Sequence, residues 1–146
     1  MATTDGEGLL LDTSILLEAS NRARKHHRAS LRILETHPNL VFPAQVAREF
    51  LVVATRPPEV NGLGLESTQA LESLNGFRAR VRMLPEERPL LPTLLKLVRE
   101  HGLIGKRIHD ANLVAAAIVH KIPEILTINL PDFRPFSRHV RCRGFG

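Results

Sequence analysis

The chain has 146 residues, and its 20 lysines and arginines outnumber its 15 aspartates and glutamates, so the formal net charge is +5. This length is enough for one domain with a substantial hydrophobic core, and we expect residues 1–146 to form a single domain. The only cysteine, Cys142, excludes an intrachain disulfide and a zinc site built from thiolates of this chain alone. The absence of tryptophan and tyrosine argues against binding of single-stranded bases mainly by aromatic stacking.

The charge balance and the apolar runs also bear on partners and location. A basic protein is biased toward polyanions such as nucleic acid, although a solvated basic surface explains the same composition equally well. The longest apolar run, residues 113–119, is far shorter than the roughly 20 residues of a membrane-spanning helix. The first residues lack the basic and apolar stretches of a signal peptide. We therefore expect a cytoplasmic protein that does not enter a membrane.

Short, fully apolar segments that are typical of buried strands alternate with helical patterns along the chain. The predicted strands cover residues 8–11, 40–42, 81–84 and 125–128, with a short fifth strand near Val140. The predicted helices start at Thr13 or Ser14, which would cap the first of them, and then cover about 29–34, 43–54, 66–74, 90–98 and 108–120. This alternation predicts an α/β fold with a mainly parallel central sheet of about four to five strands.

Four acidic residues stand at positions that such a fold would bring together. Asp12 directly follows the first strand, and Asn129 and Asp132 follow the fourth. Glu49 lies at the border of the apolar stripe of the third helix, and Asp110 lies in the first turn of the most apolar helix. Because the functional crevice of a parallel sheet lies beyond the carboxyl ends of its strands, we expect these side chains to meet there.

Each of these acids alone has an ordinary structural explanation. A carboxylate in a first helical turn, such as Asp110, is stabilised by the helix dipole. Several carboxylates that converge in one pocket repel each other, however, and a divalent cation removes this cost. Oxygen ligands with open positions suit Mg²⁺ or Mn²⁺, which polarise phosphoryl oxygens. The pattern therefore predicts a metal-dependent hydrolase and leaves open whether it binds one ion or two.

A group of basic residues follows Asp12 at a short distance in the sequence. It consists of Arg22, Arg24, Lys25 and Arg28. These residues either contact the phosphate backbone of RNA beside the active site or form a solvated helix face. The sequence does not distinguish between the two interpretations.

The order and spacing of five short segments resemble the PIN-domain family, in particular the VapC-type toxin ribonucleases of toxin–antitoxin pairs. The segments are LLDTS at 10–14, AREF at 47–50, ATRP at 54–57, IHDA at 108–111 and LTINLPDF at 126–133. The resemblance covers nearly the whole chain. It implies an α/β/α sandwich around a parallel sheet, an acidic Mg²⁺ or Mn²⁺ site and endoribonuclease activity on RNA. It also implies a homodimer that a small cognate antitoxin neutralises.

The resemblance assigns the site residues by matching segments. Asp12, Glu49 and Asp110 match the first three acids of the family as catalytic and metal-binding residues. Either Asn129 or Asp132 fills the last acidic position, and an asparagine there would add no negative charge.

Two hydroxyl residues beside Asp12 complete this motif. Thr13 is the residue that the family resemblance implies, whereas Ser14 stands where the family usually has asparagine. A hydroxyl at this position can still orient Asp12 or a bound water, and we expect Thr13 or Ser14 to support the carboxylate.

The sequence thus predicts a metal-dependent endoribonuclease that is the toxin of a toxin–antitoxin pair. The first alternative is a non-catalytic or housekeeping RNA-binding protein of the same fold, which the retained acids disfavour. The second is a phosphatase resembling the haloacid dehalogenases, whose pattern also opens on an apolar strand that ends in aspartate. That pattern normally has a second aspartate two residues after the first, where this chain has Ser14.

Overall fold

A parallel five-stranded sheet forms the centre of the protein, whose structure is a computed structural model that describes residues 8–146. The strands are β1 (Leu9–Leu11), β2 (Leu40–Pro43), β3 (Arg82–Leu84), β4 (Glu124–Leu126) and β5 (Arg141–Arg143). Their order in the sheet is β3-β2-β1-β4-β5, and every neighbouring pair is parallel. The predicted α/β fold with four to five parallel strands is confirmed.

Seven helices within residues 8–146 flank the sheet and connect its strands. They are α1 (Thr13–Ala19), α2 (His27–Thr36), α3 (Ala44–Thr55), α4 (Ser67–Arg78), α5 (Leu90–His101), α6 (Arg107–Val119) and α7 (Leu130–Phe133). Short 3₁₀ turns cover Pro58–Val60 and Arg134–Phe136. In this described part of the chain, no helix has both the length and the apolar character needed to cross a bilayer.

The hydrophobic core surrounds the central strand and helix α6. Strand β1 is buried along its whole length because both sheet faces are covered, which explains its uninterrupted leucines. Helix α6 is buried from Leu113 to Ala117, and its alanines carry no bulk beyond Cβ. These small side chains allow a close approach between the helix and the sheet, so the core positions the first turn of α6 firmly.

The ends of β1 and β4 lie side by side, and this positions the predicted site. Their registered pairs run from Leu9 with Glu124 to Leu11 with Leu126. The backbone N–H of Asp12 then donates to the carbonyl of Leu126 at 3.0 Å. The residues that follow the two strands are therefore neighbours at the carboxyl end of the sheet, where ligands bind in open α/β folds.

Helix boundaries differ from the predicted ones where side chains have other partners. Asp12, with extended backbone angles, is the cap residue of α1 instead of Thr13 or Ser14, and it makes no side-chain cap bond. Both hydroxyls donate to carboxylates instead, and hydrogen bonds to charged groups are the stronger ones. Helix α5 runs on to His101 and stops at Gly102, whose φ of +59° suits glycine.

Candidate active site

An open cavity of about 500 Å³ lies at the carboxyl end of the sheet and is lined by all four predicted acids. Residues from the start of α1, from α3, from the first turn of α6 and from the start of α7 meet there. The sequence-predicted residues at the cavity are Asp12, Thr13, Ser14, Glu49, Asp110, Asn129 and Asp132. Residues that are up to 120 positions apart in sequence therefore share one site, as the strand ends indicated.

Asp12 is the most buried acid of the cavity, with 7% of its surface exposed. Its Oδ2 accepts hydrogen bonds from the hydroxyls of Ser14 at 2.9 Å and Thr127 at 2.7 Å. Burial raises the pKa of Asp12, and these two hydrogen bonds oppose the rise because they favour the ionised form. The charge of Glu49 adds to the rise. Asp12 is thus a buried carboxyl group whose orientation is set by two hydroxyl donors.

Glu49 is held from both of its carboxylate oxygens. Thr13 Oγ1 donates to Oε2 at 3.0 Å, and Gln45 Nε2, one helical turn earlier, donates to Oε1 at 2.6 Å. The same Gln45 amide also donates to the carbonyl of His109 at 2.9 Å and accepts from Asn112 Nδ2 at 2.5 Å. This network ties α3 to α6 and fixes Glu49 relative to the first turn of α6.

Asp110 has the clearest electrostatic perturbation of the site. Its pKa is raised to about 6, first by burial and then by the charges of Asp12 and Asp132, with a smaller contribution from Glu49. The Arg107 guanidinium, with Nε 3.7 Å from Asp110 Oδ2, opposes this rise without cancelling it. Burial and the neighbouring acids together outweigh the nearby arginine in setting the pKa of Asp110, and such perturbed groups cluster at functional sites.

The cavity fits a divalent cation by its donor chemistry. It offers carboxylate, hydroxyl and amide oxygens, which are the ligands that Mg²⁺ and Mn²⁺ prefer. The charges of Asp12, Asp132 and Glu49 each raise the pKa of Asp110, and a bound cation would reduce this repulsion. Within residues 8–146, no three of these acids place one oxygen each within 4.8 Å of one another. A cation bound by three of these acids would therefore need their oxygens to move closer together.

Both candidates for the last acidic position line the cavity. Asn129 precedes α7, and its backbone N–H donates to Thr127 Oγ1 at 2.9 Å. Asp132 lies in the first turn of α7, and its charge is among those that raise the pKa of Asp110. Only Asp132 contributes charge to the acidic cluster, while Asn129 offers an uncharged amide.

The predicted RNA-contacting residues lie in a different place from the acids. Arg22, Arg24, Lys25 and Arg28 line a separate cavity of about 550 Å³. One of these charges is largely balanced within the protein, because Arg24 lies 3.5 Å from the carboxylate of the buried Glu18. The structure thus groups the four basic residues with one another and not with the acidic cavity.

Several residues of the site escaped sequence reasoning. Arg48, Arg56 and Lys106 bring positive charge to the acidic cavity. Arg56 stands seven residues after Glu49, and this spacing of two helical turns was a usable indication in the sequence. Gln45 and Thr127 hold the acids through contacts between distant parts of the chain, for which the sequence gives no local pattern.

Comparisons with known proteins agree with this geometry. The sequence model of the PIN domain matches residues 9–130. A search of curated proteins gave no match. Among solved structures, VapBC2 from Rickettsia felis bound to a DNA fragment from its promoter matches with a TM-score of 0.70 and 15% identity, covering 95% of this chain and 99% of the other.

Two further structures show the same fold. VapBC-1 from nontypeable Haemophilus influenzae matches with a TM-score of 0.66 and 17% identity over 94% of this chain and 97% of the other. VapC20 from Mycobacterium tuberculosis, described as a toxin that cleaves the sarcin–ricin loop, matches with a TM-score of 0.62 and 16% identity over 80% and 86%. At these identities the similarity establishes a shared fold.

Proposed function

The chain belongs to the PIN domain family, and from this premise we propose that it is a Mg²⁺- or Mn²⁺-dependent endoribonuclease that hydrolyses RNA phosphodiester bonds. The observation that carries the proposal is the convergence of Asp12, Glu49, Asp110 and Asp132 on one open cavity. The structural similarity to VapC toxins, one of which is described as cleaving the sarcin–ricin loop, supports RNA as the substrate.

The four acids would have different roles in binding the cation, which depend on how each side chain is held. Asp12 and Asp110 would hold the cation, with Glu49 and Asp132 completing its surroundings. A bound divalent cation supplies charge neutralisation and polarisation of the phosphodiester. The hydroxyls that donate to Asp12 and the amide that donates to Glu49 keep these carboxylates in place before the substrate binds.

Basic residues would hold the phosphate backbone. Arg48, Arg56 and Lys106 line the acidic cavity itself and would contact the phosphates that flank the cleaved bond. The ion pair of Arg48 with Glu86, at 3.7 Å between two exposed side chains, is weak and leaves the arginine available. The separate cavity of Arg22, Arg24, Lys25 and Arg28 would contact RNA farther from the cut.

We further propose that the protein is the cytoplasmic toxin of a toxin–antitoxin pair and forms a homodimer. Structures with the same fold include one described as a toxin–antitoxin complex, which supports an antitoxin partner. Large apolar side chains remain exposed on the helices, among them Val52 at 52% and Leu91 at 60%. Exposed apolar surface of this kind suits protein partners.

The test is cleavage of cellular RNA by the purified protein, with Mg²⁺, with Mn²⁺ and with EDTA. We expect discrete new ends with either cation and none with EDTA. The Asp12→Asn and Glu49→Gln variants should be inactive, while Glu72→Gln, a matched change on the exposed face of α4, should cleave like the wild type. Equal cleavage by Asp12→Asn, or cleavage that survives EDTA, would overturn the proposal. Growth arrest when the wild type is induced, but not when Asp12→Asn is induced, would support the toxin role.

A further inference from the structure

A second group of metal-ligating side chains lies outside the acidic cavity. Glu100 and His101 end helix α5, and His139 lies two residues before β5. One ligand atom from each of the three lies within 4.8 Å of the others. In the stretch from residue 8 to residue 146, this is the only group of three or more such side chains that comes so close together. None of its members lines the acidic cavity.

The distances between the ligand atoms resemble those around a single ion. His101 Nε2 and His139 Nε2 are 3.1 Å apart, and Glu100 Oε2 lies 3.6 Å from His139 Nε2. With zinc bonds of about 2.0–2.1 Å and tetrahedral angles, two ligand atoms lie about 3.3–3.4 Å apart. The two distances to His139 Nε2 thus lie within a few tenths of an ångström of this value, and all three ligand atoms lie within 4.8 Å of one another.

The surrounding core holds one of the histidine rings in place. His101 packs edge-on against Phe136, with ring centroids 5.1 Å apart, and Phe136 is completely buried. The rings of His101 and His139 are 5.3 Å apart, and the side chain of His139 is 19% exposed. The ring of His101 is thus held by packing before an ion binds, which lowers the entropic cost of ordering this ligand.

Cationic neighbours compete with an ion for this place. Arg138 lies 3.3 Å from Glu100 Oε2, and its Nε donates to His139 Nε2 at 3.4 Å. Its side chain is 67% exposed, so these contacts are weak and can be replaced by solvent. Lys96 lines a cavity of about 240 Å³ together with Glu100 and His139. An ion bound here would displace the Arg138 side chain. Water would then solvate its guanidinium group.

We propose that Glu100, His101 and His139 form a metal site for a zinc-type transition cation that ties the end of α5 to the segment before β5. Two imidazoles and one carboxylate leave a fourth position open, and imidazole ligands favour zinc over magnesium. The site joins α5 to the approach of an edge strand that pairs only with β4. This inference does not depend on the proposed nuclease activity, because it involves different residues and a different class of cation.

The test measures zinc binding with the acidic cavity disabled. Tag-free protein carrying Asp12→Asn and Asp110→Asn is stripped with EDTA and titrated with Zn²⁺ alone and with Co²⁺ alone. We expect one equivalent of Zn²⁺ to bind even in a ~100-fold excess of Mg²⁺, because the ligands are mainly nitrogen. Co²⁺ should show the absorption of a tetrahedral site and be displaced by Zn²⁺. Zn²⁺ should also raise the Tm.

Single variants then assign the site. His139→Gln and Glu100→Gln should no longer bind one equivalent of Zn²⁺ tightly, and Zn²⁺ should no longer raise their Tm. His120→Gln, a matched change directly after α6, should keep both the tight binding and the rise in Tm. If the double variant does not fold, the same titrations are made on the wild-type background in saturating Mg²⁺. Absence of tight Zn²⁺ binding, or equal binding by His139→Gln, would overturn the proposal and leave the two histidines as a hydrogen-bonded pair.

Discussion

Neutralising Asp110 should stabilise the cation-free protein, by a gain that grows as the pH rises from about 4 to about 6 and is complete above it. The pKa of Asp110 is raised from 3.8 to about 6, so the folded protein binds more protons than the unfolded chain between these values. Its stability therefore falls as the pH rises through this window, and the ionised group is a net cost at pH 7.5. Because one pKa unit corresponds to 1.36 kcal/mol, the cost is about 3 kcal/mol.

The variant that removes this cost is Asp110→Asn, which keeps the shape of the side chain. It also loses the ion pair with Arg107, so the expected gain in the free energy of unfolding at pH 7.5 is ~1–3 kcal/mol. Near pH 4 the wild-type group is protonated in the folded state, and the gain should be close to zero. The assay is urea denaturation in EDTA at the two pH values, with Glu72→Gln as a matched control for which no pH-dependent gain is expected.

The reasoning would be refuted by a variant that is less stable than the wild type at pH 7.5, or by a gain that is equal at both pH values. If Asp110→Asn is less stable than the wild type at both pH values, the lost contact with Arg107 outweighs the relief of repulsion among the acids. Urea denaturation of the two proteins in saturating Mg²⁺ gives a second test. The cation should stabilise the wild type more than Asp110→Asn, because mass action favours the form that binds the ion more tightly.

Three further changes test how the acids and the RNA are held. Thr127→Val removes the hydroxyl that donates to Asp12 at 2.7 Å. It should lower the free energy of unfolding in urea by about 1–3 kcal/mol and shift the pH profile of cleavage upward. Thr127→Ser, which keeps the hydroxyl, should retain the stability and the pH profile of the wild type. Gln45→Leu removes the amide that holds Glu49 and should weaken Mg²⁺ binding about 10–100-fold in a calorimetric titration; unchanged affinity would show that Thr13 alone positions Glu49. Lys106→Gln should lower the slope of log Kd against log salt for RNA bound to the inactive Asp12→Asn protein by about one, and an unchanged slope would remove Lys106 from the interface.

The sequence predicted the parts of the fold that depend on local pattern. Strands β1 and β2 were predictable because both are apolar and buried on each face. Strand β5 was indicated only by Val140, because its residues, Arg-Cys-Arg, carry no apolar run. As an edge strand it is held by its ladder with β4 and by the 3.0 Å contact of Arg143 with Glu124, neither of which is visible locally.

The acids of the site were predictable because they follow strand ends or open a helix. Their supports were not, since they depend on contacts between distant residues. Thr127 and Asp12 are 115 positions apart, and Gln45 and the carbonyl of His109 are 64 apart. Hydrogen bonds of this kind depend on how α3 and α6 pack against the sheet, which periodicity alone does not determine.

The balance between core and site explains how the fold tolerates this concentration of charge. Asp12 and Asp110 both have raised pKa values, and burial is the main cause in each case. The apolar strands and the alanines of α6 keep the two groups in place despite this cost. Arg107 only partly offsets the rise in the pKa of Asp110, and a divalent cation bound among the acids would lower this pKa further. Cation binding and folding should then be coupled, and the stabilisation by Mg²⁺ should grow as the pH rises through 6 and Asp110 ionises.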